Sequence, residues 1–395
     1  MPIVADIAVI GLGAVGSAAL YRSAKLGANV IGIDRFEPPH DQGSSHGETR
    51  ITRQAIGEGR EFVPLVLRSN QIWEELEAAT GRSLMTRNGG LVLASPGVGG
   101  NHHGSNSFLL DTIHAAKSFG IPHQQLSNDD VHRLYPQFRL TADEIGYFEP
   151  GAGFLRPEAC VETQISEARK LGANVFTSET LLEVQPSGST VEIKTDKASY
   201  SAAKVILTAG PWIAKLLPRE YAGHFRVYRQ TLCWFSLQSN FERYAPEHFP
   251  VFIWITGNRV QDMLYGFPAI DGRDGGLKIA TERYDNTVDP DAVPREVSHQ
   301  SVEEMYSHYI APRFPDIGNR CLRTATCLYT VTSDAKFVID YADASKNILF
   351  ASACSGHGFK HSPALGEALV QRAMGLPATI DLAPFRFERL PQIED

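Results

Sequence analysis

The run "GLGAVG" sets Gly11, Gly13 and Gly16 in the spacing G-x-G-x-x-G, and Asp34 closes the strand-like stretch that follows. Gly11 permits a tight turn, Gly13 leaves room for a pyrophosphate against the backbone, and Gly16 lets a helix pack closely on a strand. The helix after such a turn offers unpaired N–H groups and the positive end of its dipole to phosphate. Asp34 can accept hydrogen bonds from a ribose. Near the other end, "TATCLYTVTSD" places Cys327 two positions before Tyr329, so on a strand both side chains point to one face. That thiol is either an inert core group or, as a thiolate, a nucleophile, and the stretch alone leaves both open. "SGHGFK" adds a late glycine turn at Gly356 and Gly358, with His357 as a spacer between them.

These residues need elements to hold them. "DIAVI" (6–10) is a buried-strand run, "SAALYRSAKLG" (17–27) has helical spacing, and "NVIGID" (29–34) is a second strand. Together they form the βαβ unit that the glycine fingerprint requires. A helix bearing Leu65, Trp73 and Leu76 follows a glycine- and serine-rich loop; Pro157 starts another, which runs to about Leu171. "KVILTAGPW" (204–212) is a buried strand entering a turn at Gly210 and Trp212, a second contact point for the cofactor. From about 220 to 320 the segments are aromatic and strand-like, as in an antiparallel sheet. The loop "GVGGNHHGSN" (97–106) reads as surface, with His102 and His103 in solvent.

The expected fold is therefore α/β with two domains. A discontinuous nucleotide domain takes residues 1–85, 150–218 and 325–395, and a substrate domain takes 86–149 and 219–324. A cofactor gripped by both the first turn and the late "SGHGFK" fits FAD better than NAD.

Composition removes other classes. The net charge of -8 comes without long blocks of one sign, so the basic footprint of a nucleic-acid surface is missing. Five scattered cysteines include no CxxC pair, so neither a zinc site nor a disulfide framework is expected, and a reducing compartment is. No apolar run approaches the roughly 20 residues of a membrane span, and "MPIVADIAVIGLG" lacks a basic leader, so the expected location is the cytoplasm.

Several stretches in one order resemble the monomeric sarcosine oxidase and N-methyltryptophan oxidase family of flavoprotein amine oxidases. They are "GLGAVGSAAL", "GSSHGETRITRQAIGEGREFVPLVLRS", "GAGFLRPE", "YGFP", "GLKI", "CLYTVTSDAKFVID" and "SGHGFKHSP", and they cover essentially the whole chain. The resemblance implies a glutathione-reductase-like FAD-binding domain and a substrate domain built on an antiparallel sheet. It implies a monomer that oxidises a small secondary amine bearing a carboxylate and passes electrons to O2, giving H2O2. It also implies a covalent thioether between the flavin 8α-methyl and Cys327.

By the same resemblance, Lys278 stands beside the flavin ring and promotes its reaction with O2. Arg53 and Lys360 hold the substrate carboxylate, Lys360 also touching the cofactor. His46, Thr49 and Arg50 lie near the ring, while Arg35 and Ser44 join the cofactor contacts. Tyr265 and Tyr329 line the cavity. One departure stands out. Sarcosine- and methyltryptophan-type sequences carry a histidine four residues after the lysine, and here that position is Glu282. A carboxylate there is expected to meet a cationic or polyhydroxy part of the substrate, or else to face solvent. Two other functions stay open: an FAD dehydrogenase that uses an acceptor other than O2, and a flavin-bearing subunit without activity.

Overall fold

The structure is a computed structural model that describes residues 3–98 and 102–392. Residues 99–101 of the expected surface loop lie outside the described residues.

The first strand, Ile3–Ile10, pairs in parallel with Val30–Ile33 on one side and Ser199–Leu207 on the other. Asn174–Phe176 extends this sheet in parallel beyond Val30–Ile33, and Ile348–Ser352 pairs in parallel with Ser199–Leu207. Val30–Ile33 and Ile348–Ser352 are buried on both faces, which explains their continuous apolar runs. The helices Ala14–Lys25, Val63–Thr80, Pro157–Lys170 and Ser362–Met374 cover the sheet. Helix packing is close: a Cβ on Gly366 would come within 2.6 Å of Ala18 Cβ.

A second sheet has eight strands in the order Ile317–Val331, Arg226–Leu237, Leu277–Thr281, Met263–Gly266, Val251–Ile255, Gly90–Ala94, Ile145–Glu149 and Gln124–Leu126. It is antiparallel except where Val251–Ile255 runs parallel to Gly90–Ala94. An aromatic core that includes Phe138, Phe249, Phe252, Trp254 and Phe314 packs on it. The long strand Ile317–Val331 carries Cys327 and Tyr329, and its neighbour's neighbour carries Lys278 opposite Trp234. A small third sheet of Arg50–Thr52, Gly153–Leu155 and Met85–Thr86 holds Arg50. Among the described residues no helix is long and apolar enough to cross a membrane.

Candidate active site

The fingerprint turn accepts only hydrogen at two of its glycines. Gly11 has φ +87°, and a Cβ there would lie 2.7 Å from the Thr208 carbonyl oxygen; one on Gly16 would lie 1.8 Å from the Gly11 carbonyl. A Cβ on Gly13 would meet only Ser45 Oγ, at 3.4 Å. A cavity of about 500 Å³ opens over this turn, lined by Gly13, Asp34, Arg35, Ser44, Gly210 and Trp212. Asp34 Oδ2 accepts from the Leu12 N–H at 2.6 Å, and Oδ1 from the Phe36 N–H at 2.8 Å. Burial pushes its carboxyl up, against the pull of these two bonds. Asp291 gathers Arg35 (2.5 Å), Trp212 Nε1 (2.8 Å) and Lys215 (2.6 Å) at the same wall. The first helical turn carries no acidic side chain to compete with a phosphate. These features fit a dinucleotide.

A smaller cavity of about 120 Å³ shares Ser44, Ala353 and Cys354 with the first. Arg50, Arg53, Tyr265, Glu282, Tyr329 and Lys360 stand on its wall, together with Gly356 and Gly358. Gly356 has φ +82°, and a Cβ on Gly358 would lie 1.8 Å from the Ala353 carbonyl, so this turn too demands glycine.

Arg53 and Lys360 meet at a carboxylate that the sequence reading missed. Glu58 Oε2 lies 2.5 Å from Arg53 Nη2, and Oε1 lies 3.5 Å from Lys360 Nζ. All three are buried. Burial works against the Glu58 carboxylate, but Arg53 and then Lys360 outweigh it and hold it well below the usual range. Burial likewise pulls the Lys360 ammonium down to about 8, although Glu58 opposes the shift. Two cations and one anion leave one net positive charge. Its signal in the sequence was a glutamate five residues after Arg53, which local spacing alone does not distinguish from a surface pair.

Three expectations need correction. His102 and His103 are not in solvent: His102 is buried, and the His103 side chain is only 6% exposed. His103 Nε2 lies 3.1 Å from Glu282 Oε1, and its Nδ1 lies 3.0 Å from the Ser355 carbonyl. A glycine-rich polar stretch reads as surface, but a carbonyl and a carboxylate from distant segments hold His103 inside, and the Gly257 carbonyl lies 3.4 Å from His102 Nε2. Glu282 does not face solvent either; it is 3% exposed, and its Oε2 accepts from the Tyr284 hydroxyl at 2.6 Å. His357 is more than a spacer. Its ring stacks on Phe337 at 5.0 Å and sits edge-on to Phe62 at 4.9 Å, and burial drives its pKa well down.

The remaining predicted residues cluster behind the cavity wall. Lys278 Nζ donates to the Gly47 carbonyl (2.6 Å), the Thr49 carbonyl (2.9 Å) and Thr49 Oγ1 (3.1 Å), and lies 4.6 Å from the Phe267 ring centre. Burial first, then Arg50, pushes its pKa well below the lysine value. His46 is buried, pushed down to about 3 by burial and by Arg50, and its Nε2 has no partner among the described residues. Arg50 donates through Nη2 to the Ser44 carbonyl at 2.8 Å and lies 3.4 Å from Cys327 Sγ. Cys327 itself is 1% exposed. Its contacts Ser44 and Arg50 are on the cavity wall, and Cys354 borders both cavities. Tyr265 and Tyr329 join through their hydroxyls at 3.2 Å.

The FAD dependent oxidoreductase family model matches residues 6–372. The monomeric sarcosine oxidase of Streptomyces avermitilis is 34% identical over 370 residues, covering 93% of each chain. The N-methyl-L-tryptophan oxidase of Yersinia pestis is 32% identical over 386 residues, covering 97% of this chain and 99% of its own. Among solved structures, NikD, an unusual amino acid oxidase essential for nikkomycin biosynthesis, superposes with a TM-score of 0.83 at 21% identity, covering 99% of this chain and 98% of that one. The chain belongs to the FAD dependent oxidoreductases, in the branch of the sarcosine and N-methyltryptophan oxidases.

Proposed function

We propose that this protein oxidises the C–N bond of a secondary amine that bears a carboxylate, an N-methyl or otherwise N-substituted amino acid, with O2 as the acceptor. The observation that carries the reading is the buried Arg53–Glu58–Lys360 cluster in a small cavity that meets the dinucleotide cavity at Ser44 and Cys354. Its single net positive charge matches one carboxylate, and Arg53 can hold it with two parallel hydrogen bonds once Glu58 yields its place. Tyr265 and Tyr329 then close the wall around the amine.

FAD, when bound, would supply the acceptor for a hydride from the carbon beside the nitrogen and the route of its electrons to O2. The protein's residues prepare that chemistry. Gly11, Gly13 and Gly16 cradle the pyrophosphate, Asp34 the ribose, and Arg35, Gly210 and Trp212 flank them. Gly356 and Gly358 bring backbone N–H groups to the ring, with His46 and Thr49 nearby. Cys327, beside the Arg50 guanidinium, would hold the cofactor by a thioether to its 8α-carbon; the S–H and one 8α C–H bond would break, and their two electrons would pass to the flavin and on to O2. Lys278 places a fixed positive charge where O2 takes on negative charge. The imine product is released to water and hydrolysed, and O2 leaves as H2O2. The chain acts as a cytoplasmic monomer, with an FAD unit of 1–85, 150–218 and 325–395 and a substrate unit of 86–149 and 219–324.

One observation favours a second reading, a dehydrogenase with another acceptor. Lys278 Nζ is fully engaged by Gly47 and Thr49. Oxygen consumption by a panel of N-methyl, cyclic and glycated amino acids separates the two. Uptake of O2 matched by H2O2 supports the oxidase, and turnover only with an artificial acceptor supports the dehydrogenase.

A further inference from the structure

The inner cavity has a polar corner that the reading above does not use. Glu282 offers Oε1 to His103 Nε2 at 3.1 Å, and Oε2 accepts from the Tyr284 hydroxyl. His103 Nδ1 faces the Ser355 carbonyl at 3.0 Å. A carbonyl oxygen only accepts, so Nδ1 carries a hydrogen. The contact between Nε2 and Oε1 then needs a proton of its own, because two lone pairs at that distance repel. Burial opposes charge on His103, but Glu282 outweighs it and raises the imidazole's pKa. That shared proton ties the ring to the carboxylate.

This corner joins two spaces. His103 borders the inner cavity and also an outer basin of about 430 Å³, and Tyr284 lines that basin. Tyr284 therefore stands between a carboxylate on the inner wall and the outer basin.

The chemistry asks for such a link. An aliphatic amine has a pKa of about 10 and arrives as an ammonium. A nitrogen without a lone pair cannot drive a hydride from its neighbouring carbon, so one proton must leave first. Glu58 is held by two cations, Arg53 and Lys360, which weakens it as a base more than the single imidazole beside Glu282 weakens that group. Burial keeps His357 a very weak base and keeps Tyr265 and Tyr329 protonated. Glu282 is the remaining carboxylate among the described wall residues.

Resting on the amine-oxidase reading, we propose that Glu282 is the base that takes the ammonium proton of the substrate, that His103 holds the proton the two side chains share, and that Tyr284 relays the substrate proton to the outer basin. The N–H bond breaks and an O–H bond forms on Glu282. The Tyr284 hydroxyl turns its hydrogen toward basin water and accepts the Glu282 proton as its own leaves. No electrons move in this step, and the nitrogen keeps the lone pair it needs.

The test has two readouts. The first is anaerobic rapid mixing of the holoenzyme with N-methylglycine and with the fastest amine of the panel, across neutral to alkaline pH. Glu282→Gln slows reduction at neutral pH by about 10²-fold or more, and the rate recovers as pH approaches the amine's own pKa. Glu282→Asp restores part of the loss, and Tyr284→Phe lowers the rate to a lesser degree. The second is the ¹⁵N spectrum of histidine-labelled resting holoenzyme, with His103→Gln for assignment. His103 carries two protons in the wild type and one in Glu282→Gln. A wild-type pH profile in Glu282→Gln, or a neutral His103 in the wild type, overturns the relay. Failure of every amine to bleach the wild type overturns the oxidase reading instead.

Discussion

Arg50 Nη2 lies 3.4 Å from the sulfur of Cys327, and the same nitrogen is bound to the carbonyl of Ser44. The bond to Ser44 fixes the guanidinium against the sulfur. The buried cysteine and the charged wall residue are thus one device. Acid-precipitated protein is expected to stay yellow, with the flavin on the peptide that holds Cys327. Cys327→Ala loses the bound colour, whereas Cys354→Ala keeps it. Peptide mass mapping decides between these two thiols, and flavin found on Cys354 refutes the assignment. Arg50→Gln should slow attachment without preventing the protein from folding.

Lys278 is buried against Gly47 and Thr49, and burial lowers its pKa well below the lysine value. Its charge is present at low pH and is lost as pH rises through that lowered value. Reoxidation by O2 should therefore slow with rising pH, at a pH below that of an ordinary lysine. Lys278→Met should lose both the rate and its pH dependence while substrate reduction changes little. Rapid mixing of reduced protein with O2 measures both, and unchanged reoxidation in the variant would remove Lys278 from this role.

Lys360 titrates near 8, where burial has pulled it. Below that pH it adds a positive charge to the carboxylate site, and above it the charge is gone. The Kd of an unreactive carboxylate such as 3-methylbutanoate should rise through this range by roughly tenfold, the worth of one charged hydrogen bond. Lys360→Gln should flatten the profile at the weaker value. Flavin absorbance titrations at several pH values read this directly.

A methyl group on Gly16 has no room, since its Cβ would sit 1.8 Å from the Gly11 carbonyl oxygen. Gly16→Ala should cost about 3 kcal/mol or more, because backbone must move to admit it. Thermal unfolding and flavin content should fall together. By contrast, Gly27→Ala meets no atom within 4 Å but has φ +81°, so only backbone strain should appear there.

The nucleotide turn was legible because its parts are contiguous: strand, glycines, helix, strand and Asp34 follow one another without interruption. Cys327 and Tyr329 were legible as a pair because strands alternate. The groups that define the inner cavity were not. Glu58 acquires its meaning only when Lys360, from the far end of the chain, arrives beside it. His103 looked solvated because its local sequence is polar and glycine-rich, and its partner Glu282 comes from just beyond the strand Leu277–Thr281. Local patterns report an element's own faces. They do not report which distant carboxylate will meet which buried cation.

The most direct test of the central claim is a single turnover in two halves. Anaerobic addition of an N-substituted amino acid should bleach the yellow holoenzyme, and admission of air should restore the colour with one H2O2 formed per flavin. A flavin that no such amine bleaches, or one that bleaches and then stays reduced in air, contradicts the account.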